Sequence, residues 1–401
     1  MSAPAVPRVR PEAVIGLLER LVAVPSVNPV LVPGGAGEAE IAGVLAEACR
    51  ALGLEVTVED ALPGRPNVVA MLRGRDPRRG RSLLLNGHTD TVGAAGMDAP
   101  FSPARRGERL YGRGAYDMKA SLAAMAGAVA ALRDARLDPL GDVILTFVVD
   151  EEYLSAGTEA VARRHRADAA IVTEPTGLRL CLAHKGFVWA RIRTEGRAAH
   201  GSDPVTGVDA IAHMGRVLAA IDRLDREVLP RSAHPLVGRP SVHASLIEGG
   251  EGLSTYPPSC TLDLERRTLP EETVDGVHRE LTGLMDGLRA TDPAFRATLE
   301  ITGSRPGLEV DGDAPIVQAL DRACRRVTGQ TPARIGVAYW CDAALLAQHG
   351  TPTVVFGPSG EGAHAAVEYA DLPSAVACAQ VLAETIVAFC GTGDASSDVS
   401  L

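Results

Sequence analysis

Residues 142–152 read DVILTFVVDEE: an apolar run broken only by Thr146, ending abruptly in three acids, Asp150, Glu151 and Glu152. A strand with one wet face alternates apolar and polar residues. A continuous apolar run of this length is instead buried on both faces, as in a parallel sheet covered by helices. Working outward, further strand-like runs occur at 54–59, 67–72, 82–86, 169–173 and 353–356. Helical spacing separates them, at 10–24, 38–52 (closed by Gly53), 118–133, 155–165, 314–327, 342–349 and 372–387. Strands alternating with helices predict an α/β domain whose mostly parallel sheet carries helices on both faces.

Between 187 and 304 the pattern changes. A strand at 187–194 precedes a helix at 204–228, strands at 241–248 and 259–267, a helix at 270–288 and a strand at 295–302. Pro204 and Pro270 are read as first-turn prolines. The order β-α-β-β-α-β is that of a ferredoxin-like α+β unit. The expected division is one domain in two parts, 1–186 and 305–401, with 187–304 inserted.

Composition narrows the function. The 401 residues are 46% hydrophobic and 22% charged, with a net charge of −10 and no clustered basic face, which argues against nucleic-acid binding. No apolar run approaches a membrane span of about 20 residues, and the opening MSAPAVPRVRPEAV lacks a secretory core. Seven scattered cysteines without CxxC spacing suit reduced thiols, so a cytoplasmic setting is expected. The tail GTGDASSDVS is expected to be disordered. Only two of the 40 basic residues are lysine, Lys119 and Lys185; no role is assigned to either.

In an open α/β sheet, ligands bind beyond the carboxyl ends of the strands. There the chain carries Gly87-His88-Thr89-Asp90, Asp150-Glu151-Glu152, Glu174-Pro175 and, after 353–356, the segment GPSGEGAH ending in His364. A fifth polar segment, GRGAYDMK (112–119), precedes a helix. Singly each has a plain structural explanation; Asp117, for example, suits a helix cap. Their joint arrival at one sheet edge points to metal chemistry. Imidazole with carboxylate and no cysteine suits zinc, cobalt or manganese.

These motifs, together with Ala199-His200-Gly201-Ser202 and ERRTLP (265–270), resemble the co-catalytic zinc amidohydrolase and exopeptidase family of acetylornithine deacetylase, succinyl-diaminopimelate desuccinylase, aminoacylase and glutamate carboxypeptidase. The resemblance spans nearly the whole chain. It implies two zinc ions, replaceable by cobalt or manganese, with His88 and Glu174 on one, Glu152 and His364 on the other, and Asp117 bridging both across a cis Asp117–Met118 bond. It makes Glu151 the general base, Asp90 the partner that fixes the His88 tautomer, and the inserted region a lid and dimerisation domain. His200, delivered from the partner subunit of a homodimer, would donate to the oxyanion.

Arg267 is placed on a substrate carboxylate, since its fork suits bidentate recognition, with pairing to Glu265 as the competing reading. Arg266, its neighbour on a strand, should face the other way. The chain departs from the family at Ser254 (often Asn) and Glu265 (often Asp), both in the lid. The implied reaction is deacylation of an N-acyl amino acid, with a dipeptidase or carboxypeptidase as the alternative. A silent ligand-binding protein is disfavoured, because every ligand position and the base are present.

Overall fold

The computed structural model describes residues 7–392. All but the first two residues of the tail expected to be disordered lie outside that range. The chain forms two compact units. One runs up to Leu182 and includes Val310–Ile335 and the chain from Cys341 onward; the other comprises Ala183–Glu309 and Gly336–Trp340.

The first unit is built on a mixed sheet. Its strands lie in the order Glu55–Leu62, Arg65–Leu72, Val143–Val148, Leu83–His88, Ala169–Val172, Thr353–Val355, Leu180–His184. The four central strands, Val143–Val148 to Thr353–Val355, are mutually parallel. The flanking pairings are antiparallel. Parallel pairing is therefore confined to the centre, where Val143–Val148 and Leu83–His88 are buried at every position. The outermost strand is largely exposed, and it joins its neighbour through a tight turn that needs Gly64 in the left-handed region.

The Ala-rich helix Ala120–Asp134 is almost wholly buried, and its small residues permit close approach: a Cβ on Gly127 would lie 2.5 Å from Val14 Cγ2. It packs beside the C-terminal helix Leu372–Cys390. That helix corrects one expectation, since it is apolar and long enough to cross a membrane. Two-thirds of it is buried within the fold, which accounts for its composition as that of a core helix.

A small antiparallel sheet, Gly360–Glu361, Tyr369–Asp371, Arg109–Tyr111 and Ala104–Arg106, was not foreseen. Its strands are two or three residues long and rich in arginine, so they carry no periodic signal. It ties the chain around His364 to the chain leading into Asp117.

The second unit has the ferredoxin-like order. Strands Ser241–Gly249, Ser259–Thr268, Gly186–Glu195 and Arg296–Arg305 lie side by side, all antiparallel. Helices Ala210–Arg223 and Val274–Thr291 share a core with one face of the sheet, around Ile192, Met214, Leu262 and Leu281. Both helices begin later than Pro204 and Pro270 suggest. Side-chain caps set the starts: Asp209 accepts from Ala212 N and Thr273 from Gly276 N.

Candidate active site

Leu83–His88 ends on His88, and the parallel strands beside it deliver Asp150-Glu151-Glu152 and Glu174 to the same edge. His88 is buried; its backbone N–H donates to the Met118 thioether and its Nδ1 meets the Asp90 carbonyl oxygen at 2.9 Å. A proton on Nδ1 leaves the Nε2 lone pair for a ligand. The Asp90 carboxylate stands 3.6 Å from the same Nδ1, so carbonyl and carboxylate of one residue both face the ring nitrogen. That carboxylate also accepts from the backbone N–H groups of Glu151 and Glu152 and from Asn28 Nδ2.

Asp117 stands between two histidines. Its Oδ1 is 3.1 Å from His88 Nε2, and its Oδ2 is 3.4 Å from His364 Nε2. Glu174 Oε1 lies 3.7 Å from His88 Nε2, and Glu152 Oε2 lies 3.0 Å from His364 Nε2. The five side chains thus form two imidazole–carboxylate halves sharing one carboxylate. His364 reaches its place from a left-handed backbone, φ 62. The Asp117–Met118 peptide bond is cis, as the resemblance implies. Glu151 shares a metal-competent grouping with His88 and Glu174, their ligand atoms all within 4.8 Å.

The electrostatics demand cations. Four largely buried carboxylates crowd one buried imidazole, His88, and one exposed one, His364. Burial, reinforced by Glu174, pushes Glu151 well above the usual carboxylate range. Burial likewise raises Glu174 to about 8. Hydrogen bonds to Asp117 and Glu152 raise His364 to about 10. Burial opposes the His88 imidazolium, yet Glu174, Asp117 and Asp90 together raise its pKa well above the usual value. Protons are standing where positive charge is needed. Glu152 Oε1 and Glu174 Oε1 are buried without a hydrogen-bond partner, as oxygens awaiting an ion would be. The donor set of imidazole and carboxylate fits two divalent cations of the zinc, cobalt or manganese kind, whose four positive charges would match the four carboxylates.

Several residues that hold this cluster carried no sequence signal. Glu368 is buried and accepts four hydrogen bonds: Arg113 Nη1 and Gly114 N on Oε2, Tyr116 N and Asp117 N on Oε1. Asp342, raised to about 6 by burial, accepts from Thr158 Oγ1 at 2.6 Å. Lys119, one of the two lysines singled out in the sequence, is buried as well; its Nζ donates to the Val24 carbonyl, and burial lowers its pKa to about 7.

The remaining expected residues lie in the second unit. His200 is exposed, with Nδ1 2.7 Å from Ser202 Oγ, and it pairs in a short bridge with Thr255, next to Ser254. Arg267 Nε donates to Glu265 Oε1 at 2.7 Å, its guanidinium lying over the Phe187 ring, so the competing ion pair is formed. Glu265 also accepts from Trp189 Nε1. Arg266 faces the other way, fully buried and paired with Glu272 and Glu280. Lys185 Nζ donates to the Arg239 carbonyl.

Comparison with known proteins agrees with this geometry. The profile of peptidase family M20/M25/M40 matches residues 84–388. The chain is 30% identical over 380 residues to an N-formyl-4-amino-5-aminomethyl-2-methylpyrimidine deformylase of Bacillus subtilis (strain 168), covering 87% of this chain and 88% of that one. It is 32% identical over 341 residues to an acetylornithine deacetylase of Myxococcus xanthus, covering 83% and 87%. Among solved structures it is similar to the Bacillus subtilis YXEP protein, described as a dinuclear metal binding peptidase from the M20 family. That match has a TM-score of 0.74 at 18% identity, covers 96% of this chain and 99% of that one, and speaks to the fold alone.

Proposed function

The chain belongs to peptidase family M20/M25/M40, and from that premise we propose that it hydrolyses the linear amide of an N-acyl amino acid, with Glu151 as general base. The observation that carries the reading is Asp117, whose two oxygens each meet one imidazole, with Glu174 and Glu152 completing the two halves. His88, Asp117 and Glu174 would hold one zinc ion, and Glu152, Asp117 and His364 a second; when bound, the pair polarises the amide carbonyl and acidifies a water. Cobalt or manganese would serve as substitutes.

The protein's own groups do the rest. A Glu151 carboxylate oxygen takes a proton from water as the oxygen adds to the carbonyl carbon, then gives it to the leaving nitrogen as the C–N bond breaks. The products are a carboxylate and a free amine. Asp90 aims that carboxylate by holding the Glu151 N–H. His200 is the proposed donor to the oxyanion, and Arg267, oriented by Glu265 and Phe187, the proposed reader of the substrate carboxylate. Deacylation is favoured over peptide cleavage because an acetylornithine deacetylase and a deformylase are among the relatives at 30–32% identity.

A homodimer through the second unit belongs to the same proposal. The edge strand Ser241–Gly249 leaves Leu246 and Ile247 exposed. A cytoplasmic setting is supported by seven free, buried cysteines. The test is metal content by mass spectrometry, then turnover of acetylornithine, succinyl-diaminopimelate, N-formyl amines and dipeptides with and without chelator. Fewer than one divalent ion per chain together with chelator-insensitive turnover sinks the metal reading. Dipeptides outrunning every N-acyl substrate sinks the substrate reading.

A further inference from the structure

Behind the metal-competent cluster lies a second buried charge network, of which the reaction described above uses only the Asp90 end. Glu38 is fully buried, and both its oxygens are within hydrogen-bond reach of the Arg65 guanidinium, Nε at 2.8 Å on Oε2 and Nη2 at 2.5 Å on Oε1. Arg65, 6% exposed, turns its remaining edge on Asp150, with Nη1 2.8 Å from Oδ1. Asn28 Nδ2 then joins Asp150 Oδ1 at 3.2 Å to Asp90 Oδ2 at 2.8 Å. Asp90 holds the backbone N–H groups of Glu151 and Glu152. The result is one hydrogen-bonded line: Glu38, Arg65, Asp150, Asn28, Asp90, and the main chain of the two reactive glutamates.

Asp150 is the pivot. It is the residue immediately before Glu151, and it sits in the left-handed region at φ 71, which a non-glycine residue occupies only when its surroundings hold it. Its carbonyl accepts from Tyr153 N and Ser155 N, closing the turn that carries both glutamates. Two anionic side chains, Glu38 and Asp150, meet at one guanidinium, and Asn28 links Asp150 onward to Asp90. Without Arg65 the Asp150 carboxylate would lose its countercharge in a buried setting and would relax toward water. The Glu151 and Glu152 side chains hang from the backbone that would move.

We propose that Arg65 is a positioning residue for the hydrolysis, acting through Asp150 to fix the main-chain turn that aims Glu151, with Glu38 holding Arg65 in place. The inference rests on the reading of Glu151 as the base. Loss of hydrogen bonds one layer outside a metal site typically costs about 10–100-fold in activity or metal affinity, and that range is expected here.

The experiment uses the full chain saturated with zinc. Arg65→Met and Asp150→Asn are compared with wild type for kcat, KM, bound metal and thermal midpoint, on the best substrate of the panel above. Asparagine tolerates a left-handed backbone, so Asp150→Asn leaves that conformation accessible and removes only the charge by which Arg65 pins it. The double variant Arg65→Met/Glu38→Met avoids stranding Glu38 and leaves only Asp150 without its countercharge, so a fall in kcat in a folded double variant reports on Asp150. Expected is a fall in kcat of about 10–100-fold in all three, with KM within about threefold and two metals retained at saturation. Arg65→Lys should recover part of kcat. A folded double variant and Asp150→Asn that both keep kcat within about threefold of wild type, whatever their thermal midpoints, overturn the proposal. Glu151→Gln is measured alongside: if it stays active, the base assignment fails on its own, whatever the Arg65 variants do.

Discussion

Glu368→Gln tests the clamp on Asp117 most directly, because the substitution preserves shape and removes one acceptor. The native carboxylate divides its work evenly, Oε2 serving Arg113 and Gly114, Oε1 serving Tyr116 and Asp117. A glutamine has one accepting oxygen. If that oxygen stays toward Arg113, the amide NH2 faces the N–H groups of Tyr116 and Asp117. Two buried donors then lack acceptors, at about 1–3 kcal/mol each. If the amide flips, Arg113, 2% exposed, loses its partner, and breaking a buried ion pair costs about 3–5 kcal/mol.

Neither orientation escapes a cost of at least about 2 kcal/mol, which in a unit of this size lowers the thermal midpoint by about 4 °C or more. Because Asp117 touches both imidazoles, the same displacement should weaken zinc binding by about 10–100-fold. The midpoint is to be measured on metal-free protein, so that lost ligand stabilisation does not enter it. Zinc affinity is to be measured by competition with a chromophoric chelator. An unchanged midpoint together with zinc affinity within threefold of wild type would refute the clamp.

Three further outcomes follow from the geometry. Glu151→Gln should retain both metals and lose turnover by at least about 100-fold, the lower range of general acid–base contributions; turnover near wild type removes Glu151 from the mechanism. Gly357→Ala should cut activity and metal affinity together, since a Cβ there would sit 2.3 Å from the Glu174 carbonyl oxygen and 2.4 Å from that of Thr173; a fully active variant means the strand ends yield without moving Glu174. His184, buried in the second unit with its Nδ1 on the Lys185 carbonyl, has its pKa lowered to about 4 by burial. Between about 4 and 6.5 the unfolded chain then binds the extra proton, so this residue's contribution to stability rises with pH and is lost on acidification, by about 1.4 kcal/mol per pH unit. His184→Asn should flatten that part of the urea-stability profile, and identical slopes for variant and wild type would contradict it.

How much of this was legible in the sequence depends on what each residue does. Val143–Val148 announced a buried strand because burial on both faces leaves an unbroken apolar run. The ferredoxin-like order of the second unit was readable for the same reason, its elements being long and periodic. The helix starts were misread because proline is a local signal, while the caps at Asp209 and Thr273 are hydrogen bonds that form only in the folded chain. The short sheet beside His364 was invisible, since strands of two or three residues have no period to detect. His88, Glu151, Glu152 and Glu174 were legible because strand ends in an open sheet converge, whereas Asp117 and His364 lie off the strand ends and drew their roles from the motif resemblance.

The supporting layer was not legible, and its chemistry explains why. Glu368 is 251 residues from Asp117, and Arg65 is 85 residues from Asp150. Glu368 and Asp90 grip mainly main-chain N–H, which every residue but proline offers, so few partner side chains in the sequence betray the contact. Asp90 adds to its expected place beside His88 a grip on the backbone N–H groups of Glu151 and Glu152. Residue type can therefore point to the atoms that would touch a metal, because metals select imidazole and carboxylate. It cannot point to the atoms that aim them. A substitution series confined to the six residues at the cluster would accordingly attribute all of the rate to those residues. If the Arg65, Asp150 and Glu368 variants lose activity as derived, part of that rate belongs to a buried layer that touches neither metal nor substrate, and its share can be measured only by double-mutant cycles pairing Asp150→Asn with Glu151→Gln.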